Sequence, residues 1–125
     1  MEKEILLKLL NQKVAITVDY PIGSQSQESP FHNFPINFGY TEELFNNKGE
    51  PFQAYILGEN RPLEFYHGKV VAVIFRHKSG NYLLVTAPPN MIFTKDAIKK
   101  LTHFQEQHYQ AEYLFHPVEA SSESK

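Results

Sequence analysis

Apolar and polar residues recur along the chain at two different periods, and the changes of period mark out its elements. Ile5, Leu6, Leu9 and Leu10 fall at helical spacing and predict a short amphipathic helix over residues 2–11. Residues 13–20 (KVAITVDY) alternate and are rich in β-branched side chains, which predicts a strand. Residues 21–29 hold Pro, Gly, Ser and Gln without periodicity and read as a polar surface loop. Residues 34–40 (FPINFGY) are aromatic and extended, with Pro35 and Gly39 bending the strand or holding it at an edge. Asn46-Asn47-Lys48-Gly49 predicts a turn, and residues 52–57 the strand after it. The segments KVVAVIFRHK (69–78) and NYLLVTA (81–87) flank Ser79-Gly80, a hairpin signal. Thr94 then stands as a helix N-cap, with Asp96 in the first turn, where the helix dipole favours negative charge. Ile98, Leu101, Phe104 and His108 give that helix one face for the core, and residues 112–115 a short extended piece.

Strands that are mostly antiparallel, between a short N-terminal and a long C-terminal helix, predict a mainly β protein with some α. A five-stranded closed barrel of the OB-like type fits that order, and sandwich and roll folds read similarly from pattern alone. At 125 residues the chain fits one domain, expected over residues 1–117, with the polar residues 118–125 as a disordered tail. Ten Phe and seven Tyr, with no Trp, must carry much of the core.

Charge narrows the function classes. Twelve basic against fourteen acidic residues give a net charge of −2, so the overall basic footprint of a nucleic-acid binder is absent. A local patch remains at Arg76-His77-Lys78 beside Phe75 and Tyr82, the basic-plus-aromatic character of single-strand binding, although hairpin tips commonly carry such charges for solubility. The absence of Cys excludes disulfides, thiolate catalysis and Cys-ligated zinc. Apolar runs such as residues 70–75 are too short to span a membrane. Met1-Glu2-Lys3-Glu4 lacks the basic-then-apolar order of a signal peptide, and a cytoplasmic protein is the expectation. His103 and His108 miss the i, i+4 spacing of a helical metal pair, while His32, His67, His77 and His116 are scattered over loops and strand ends. Ser24 and Ser26 stand on a polar loop with no His-Asp pattern nearby, which argues against a serine nucleophile.

Several motifs occur in one order along most of the chain. They are Val18-Asp19-x-Pro21-Ile22-Gly23-Ser24, Phe34-Pro35-Ile36-Asn37-Phe38-Gly39-Tyr40, Gly49-Glu50 followed by Ala54-Tyr55-Ile56-Leu57-Gly58, the strand from Gly68 to Arg76, Phe93-Thr94 and Phe104-Gln105-Glu106. In this the sequence resembles the soluble, magnesium-dependent inorganic pyrophosphatases, especially a short bacterial variant. The resemblance implies a five-stranded OB-like barrel with helices packed outside, and hydrolysis of pyrophosphate by a metal-activated water. Such chemistry needs carboxylates for several magnesium ions, and Lys, Arg and Tyr to grip the phosphates.

Measured against that pattern, this chain departs at most positions. The metal motif, Asp-Gly-Asp-Pro-x-Asp or Asp-Gly-Glu-x-x-Asp, is represented by Lys48-Gly49-Glu50-Pro51-Phe52-Gln53, so Glu50 alone keeps a carboxylate. An ammonium at Lys48 held ~5 Å from a divalent ion would repel it by roughly 6–7 kcal/mol at an effective dielectric of ~20, unless it swings into solvent. The hairpin that resemblance gives a second acidic group reads Lys78-Ser79-Gly80-Asn81-Tyr82-Leu83, with Leu83 at the phosphate-gripping lysine. Tyr20 stands for the Arg after Val-Asp, Phe38 for the motif Tyr, and His108-Tyr109 or Tyr109-Gln110 for the Tyr-Lys pair. Asn37, Tyr40 and Tyr55 match the family and also serve a barrel as packing or turn residues. Glu42 and Glu43, in place of an Ile-Pro-Gly turn, are either solvated charges or a new cation group with Glu50.

These residues (Tyr20, Asn37, Phe38, Tyr40, Lys48, Glu50, Gln53, Tyr55, Leu83 and Tyr109) are therefore expected to outline a vestigial pocket with no catalytic residue. The expected function is that of an inactive relative acting as a binding module for an unidentified small ligand or protein. No cofactor is expected, and homo-oligomers stay open. The alternatives are a phosphohydrolase with an altered magnesium site using Glu50, and an OB-type nucleic-acid binder.

Overall fold

The alternating segments form strands that close on themselves. The computed structural model describes residues 3–25, 33–46 and 48–115, and its strands are β1 (Lys13–Tyr20), β2 (Asn37–Phe45), β3 (Pro51–Ile56), β4 (Phe65–Arg76) and β5 (Asn81–Ala87). They run in the order β1-β2-β3-β5-β4, and β4 returns to pair with β1, which makes a closed five-stranded barrel. The barrel is mixed: β3 and β5 are parallel, and the other pairs antiparallel. Helix α1 (Lys3–Leu7) precedes it, α2 (Lys95–Glu106) follows β5, and β6 (Ala111–Leu114) pairs with the second half of β4. Among the described residues, no helix is long and apolar enough to cross a membrane. The expected tail at 118–125, with His32, His116 and Ser26, lies outside the described residues.

Element ends differ from the sequence expectations for identifiable reasons. β2 starts at Asn37 because Phe34 spends its backbone groups on the preceding loop, accepting from Gly23 N–H at 2.8 Å and donating to the Ser24 carbonyl at 2.9 Å. It runs on through Glu42 and Glu43 to Phe45, so those residues are strand. β4 begins at Phe65, since residues 65–69 pair with β1. The hairpin loop is 77–80, closed by Gly80 N–H on the Arg76 carbonyl at 2.8 Å, with Gly80 at φ 72. At the N-terminus, Asn11 takes φ 72 and donates its N–H to the Val70 carbonyl, tying the end of the helical segment to β4.

Two apolar clusters lie on opposite faces of the sheet. One gathers Val14, Ile16, Phe52, Ala54, Ile56, Val73 and Leu84, closed by Leu6 and Leu10 from the N-terminal segment. The other gathers Phe38, Tyr55, Leu57, Ile74, Leu83 and Val85 with Phe34, Ile36 and Ile98, and α2 packs on it. Strand alternation divides β3 between the clusters. A bulge at Val71 shifts β4 by one residue against β5, so that Val70 and Ala72 end on different faces. Gly39 answers a close approach: a Cβ there would lie 2.0 Å from the Thr17 carbonyl oxygen.

The face of α2 is a correction to the periodic reading. Thr94 caps the helix as expected, its hydroxyl accepting from Ala97 N–H at 3.1 Å. The buried residues, however, are Ile98, Thr102 and Glu106, while Leu101 and His108 are exposed. Buried polar residues need partners, and both have them. Thr102 donates to the Ile98 carbonyl at 2.9 Å. The Glu106 carboxylate receives Arg76 Nε at 3.0 Å, Arg76 Nη2 at 2.5 Å and the Tyr55 hydroxyl at 2.6 Å. Gln105 Nε2 in turn donates to Tyr55 Oη at 2.8 Å.

Burial works to lower the pKa of Arg76, but the hydrogen bonds and charge of Glu106 outweigh it and the net direction is up. Burial also pushes the Tyr55 phenol far above the ordinary tyrosine range, and Glu106 adds to the effect. Glu106→Gln leaves a buried guanidinium without its counter-charge and is expected to cost about 3–5 kcal/mol in urea unfolding. The apolar double variant Arg76→Met with Glu106→Leu is expected to recover most of that loss in the same measurement.

Candidate functional site

The sheet register sets the candidate residues in rows. Tyr40 pairs with Gln53 and Gln53 with Leu83, while one step along Phe38 pairs with Tyr55 and Tyr55 with Val85. Directly paired residues share a sheet face, so all of these belong to the face on which α2 packs. β1 adds to it through a bulge. Val18 pairs with Gly39 and Tyr20 with Phe38, which leaves Asp19 as the extra residue. The bulge lets Asp19 and Tyr20 serve the same face, with Asp19 at the polar end and Tyr20 in the aromatic packing.

The polar end is a cavity of about 350 Å³ whose walls include Asp19, Tyr40, Glu50 and Gln53. Asn46, Pro51, Asn81 and Tyr82 complete it. Asn46 builds the turn that carries Glu50. Its Oδ1 accepts from Lys48 N–H at 2.8 Å and Glu50 N–H at 3.0 Å, and its Nδ2 donates to Glu50 Oε1 at 3.0 Å. The Lys48 side chain is exposed and is not part of the cavity wall. Much of the Asp19 side chain meets water, yet desolvation by the surrounding walls pushes its carboxyl pKa up, against the pull of its own backbone N–H. Among the described residues, no three His, Asp or Glu side chains gather closely enough to hold a metal ion.

The other end of the same face is solid packing. Tyr20 stacks on Phe34 with ring centroids 4.7 Å apart, Phe34 meets Phe38 at 5.5 Å and Phe38 meets Tyr55 at 4.7 Å. Phe104 closes the group edge-on against Phe34 and Tyr55. Leu83 is 0% exposed in the same cluster. Asn37 is buried and structural: its Oδ1 accepts from Ile22 N–H at 3.1 Å and Leu63 N–H at 3.2 Å, and its Nδ2 donates to the Arg61 carbonyl at 2.9 Å.

The ten residues expected in one pocket are thus divided. Tyr40, Glu50 and Gln53 share the cavity. Tyr20, Phe38, Tyr55 and Leu83 belong to the packed cluster. Tyr109 stacks on the Arg76 guanidinium, 3.8 Å from ring centroid to Cζ, and borders a different cavity with Lys78 and His108. Arg76 is buried at 5% exposure, which corrects its reading as part of a basic hairpin tip and removes it from any nucleic-acid surface. Glu42 and Glu43 border a third cavity, where Glu43 accepts from Ala15 N–H at 2.9 Å, and do not join Glu50. His67, His77, His103 and His108 are exposed, and Ser24 donates to the Pro21 carbonyl. Asp19, Asn46 and Asn81 carry no site reading from the sequence, and Tyr82, read from sequence beside the basic hairpin tip, lines this cavity instead. Asp19 and Asn81 stood inside motifs already under comparison, but the bulge that aims Asp19 has no signature in an alternating strand.

This architecture is the inorganic pyrophosphatase fold. No family model and no curated protein matches the sequence. Solved structures do match. The inorganic pyrophosphatase from Ehrlichia chaffeensis superposes with a TM-score of 0.65 at 12% identity, over 87% of this chain and 89% of that one. That from Coxiella burnetii gives 0.61 at 12%, over 91% of each chain, and that from Neisseria gonorrhoeae 0.58 at 14%, over 93% and 88%. At such identities the likeness establishes the fold.

Two outcomes are expected. Leu83→Lys, which restores the lysine implied by resemblance, forces an ammonium into apolar packing and should lower stability by about 3–5 kcal/mol in denaturant unfolding. A raised folded-state pKa means that the stability linked to protonated Asp19 is full below the unfolded value of 3.8 and is lost as pH rises through the folded value. Asp19→Asn should therefore melt above the parent protein at neutral pH, with the difference closing in acid below that value.

Proposed function

We propose that this chain is a pyrophosphatase-fold protein that binds a ligand without hydrolysing pyrophosphate. One observation carries the reading: the positions that resemblance gives to the phosphate grip, Tyr20, Phe38 and Leu83, lie in the aromatic and aliphatic packing under α2. Among the described residues, neither Lys nor Arg lines the cavity that remains. Pyrophosphate is highly anionic, and a wall holding Asp19 and Glu50 repels it unless cations intervene.

The donor set does not fit the magnesium centre that the fold family implies. Several magnesium ions, each with near-octahedral oxygen coordination, need more carboxylates than Asp19 and Glu50 provide. Amide oxygens of Gln53 and Asn46 are neutral, and Asn46 Oδ1 is already engaged by backbone N–H groups. No hydrolytic step is therefore derived through such a centre.

A hydrolase with a rearranged metal site is the competing reading, because Asp19 joins Glu50 in one cavity. Colorimetric phosphate release from pyrophosphate, with magnesium or manganese, separates the two. The proposal expects no release above buffer. Sustained turnover that disappears in both Glu50→Gln and Asp19→Asn would establish the hydrolase instead.

A further inference from the structure

The sheet order ends with β6, and among the described residues no strand pairs with its far side. His77 donates its N–H to the Gln110 carbonyl at 3.0 Å, which places a bonded pair of the β4–β6 ladder there. Bonded and unbonded pairs alternate in an antiparallel ladder. Phe75↔Glu112 and Val73↔Leu114 are therefore the other bonded pairs, and Ala111 and Tyr113 turn N–H and C=O outward. The Arg76 carbonyl agrees, since it accepts from Gly80 on the hairpin side, away from its β6 partner Ala111. Side chains of this edge alternate between two surroundings. Ala111, Tyr113 and Phe115 pack with the cluster under α2. There Lys99 Nζ lies 5.8 Å from the Tyr113 ring centroid and Lys95 Nζ 5.5 Å from that of Phe115. Neither lysine is in an ion pair among the described residues. Glu112 and Leu114 face the other way, onto a groove of about 310 Å³ floored by Val73 and Phe75 and walled by Lys3 and Leu6. The Glu112 carboxylate turns to His77 Nε2 at 3.1 Å.

We infer that this edge accepts an extended peptide as a further strand, one in which acidic and apolar residues alternate. The surface uses neither Asp19 nor Glu50, so the inference goes beyond the non-hydrolytic reading of the barrel. Main-chain hydrogen bonds to Ala111 and Tyr113 hold such a strand, and its alternate side chains supply specificity. Residues beside Tyr113 and Phe115 meet the two lysines, and carboxylates suit those positions. Residues beside Glu112 and Leu114 lean over the groove, and its apolar floor suits aliphatic side chains. The same lysines disfavour a second copy as the occupant. Two β6 strands paired about Tyr113 would place Lys95 and Lys99 of both copies along one seam, and lysines at an edge act against self-pairing in this way.

The test is a ¹H–¹⁵N NMR titration of the full chain with a capped hexapeptide of alternating Glu and Val. The Ala111 and Tyr113 amides are expected to exchange rapidly in the free chain and to become protected, saturably, as the peptide is added. Lys99→Gln is expected to weaken binding about two- to fivefold, the range of an exposed ion pair, and raised salt to weaken it too. Ala111→Pro removes an outward N–H without touching the β4 ladder and is expected to abolish binding. A peptide with Lys in place of Glu should give no saturable shifts. Lys99→Gln and the lysine peptide decide the matter independently of how Ala111→Pro folds. Equal binding of the two peptides, or saturable binding by neither, would overturn the assignment, as would binding that leaves Ala111 and Tyr113 unprotected. Amides already protected in the free chain would show the edge to be occupied, by a second copy if protection grows with concentration, and would overturn it as well. Phosphate release from pyrophosphate bears on the non-hydrolytic reading alone, so the two failures are distinguishable.

Discussion

A carboxylate buried under a helix has to be answered by charge, and in this molecule Glu106 is answered by Arg76. Taking both groups out of water costs several kcal/mol per ion before their attraction is counted. The pair therefore contributes to the fold mainly by permitting few alternatives. Arg76 ends β4 and Glu106 ends α2, so their bidentate contact fixes where the helix finishes on the sheet. Tyr55 reaches the same carboxylate from β3, and Gln105 reaches Tyr55, so three elements meet at one side chain. With that point fixed, Phe104 lies edge-on to Phe34 and Tyr55 and completes the aromatic layer.

The candidate site follows from where this layer stops. One sheet face carries the row Tyr40–Gln53–Leu83, then the row Phe38–Tyr55–Val85. Its apolar part is covered by α2 and by Phe34, and its polar part opens as the cavity at Asp19 and Glu50. A barrel that shares its fold with pyrophosphatases thus presents two carboxylates, amides and phenols to solvent, while the rest of the face is occupied by core.

Much of the fold was legible because strands and caps are local. The alternation of KVAITVDY, the hairpin of 69–87 and the Thr94 cap all appear in the structure near their expected places. Features set by distant partners were not legible. Glu106 and Arg76 are 30 residues apart, and nothing in a helical period marks a glutamate as the buried position beside exposed Leu101 and His108. Arg76, at the start of a polar turn, read as a surface charge for the same reason. The resemblance identified the face but not its division, because the packing of Tyr20 and the burial of Leu83 depend on which aromatic residues fill the space around them.

The proposed function turns on Tyr20, Phe38 and Leu83, which resemblance gives to a phosphate grip and which pack in the core cluster under α2. A crystal grown from the full chain and soaked with magnesium and pyrophosphate tests it most directly. The account expects continuous side-chain density for Tyr20, Phe34, Phe38 and Leu83, with no diphosphate among them. Ordered diphosphate bridged by divalent ions to Glu50 and Asp19, with the aromatic layer displaced, would contradict it.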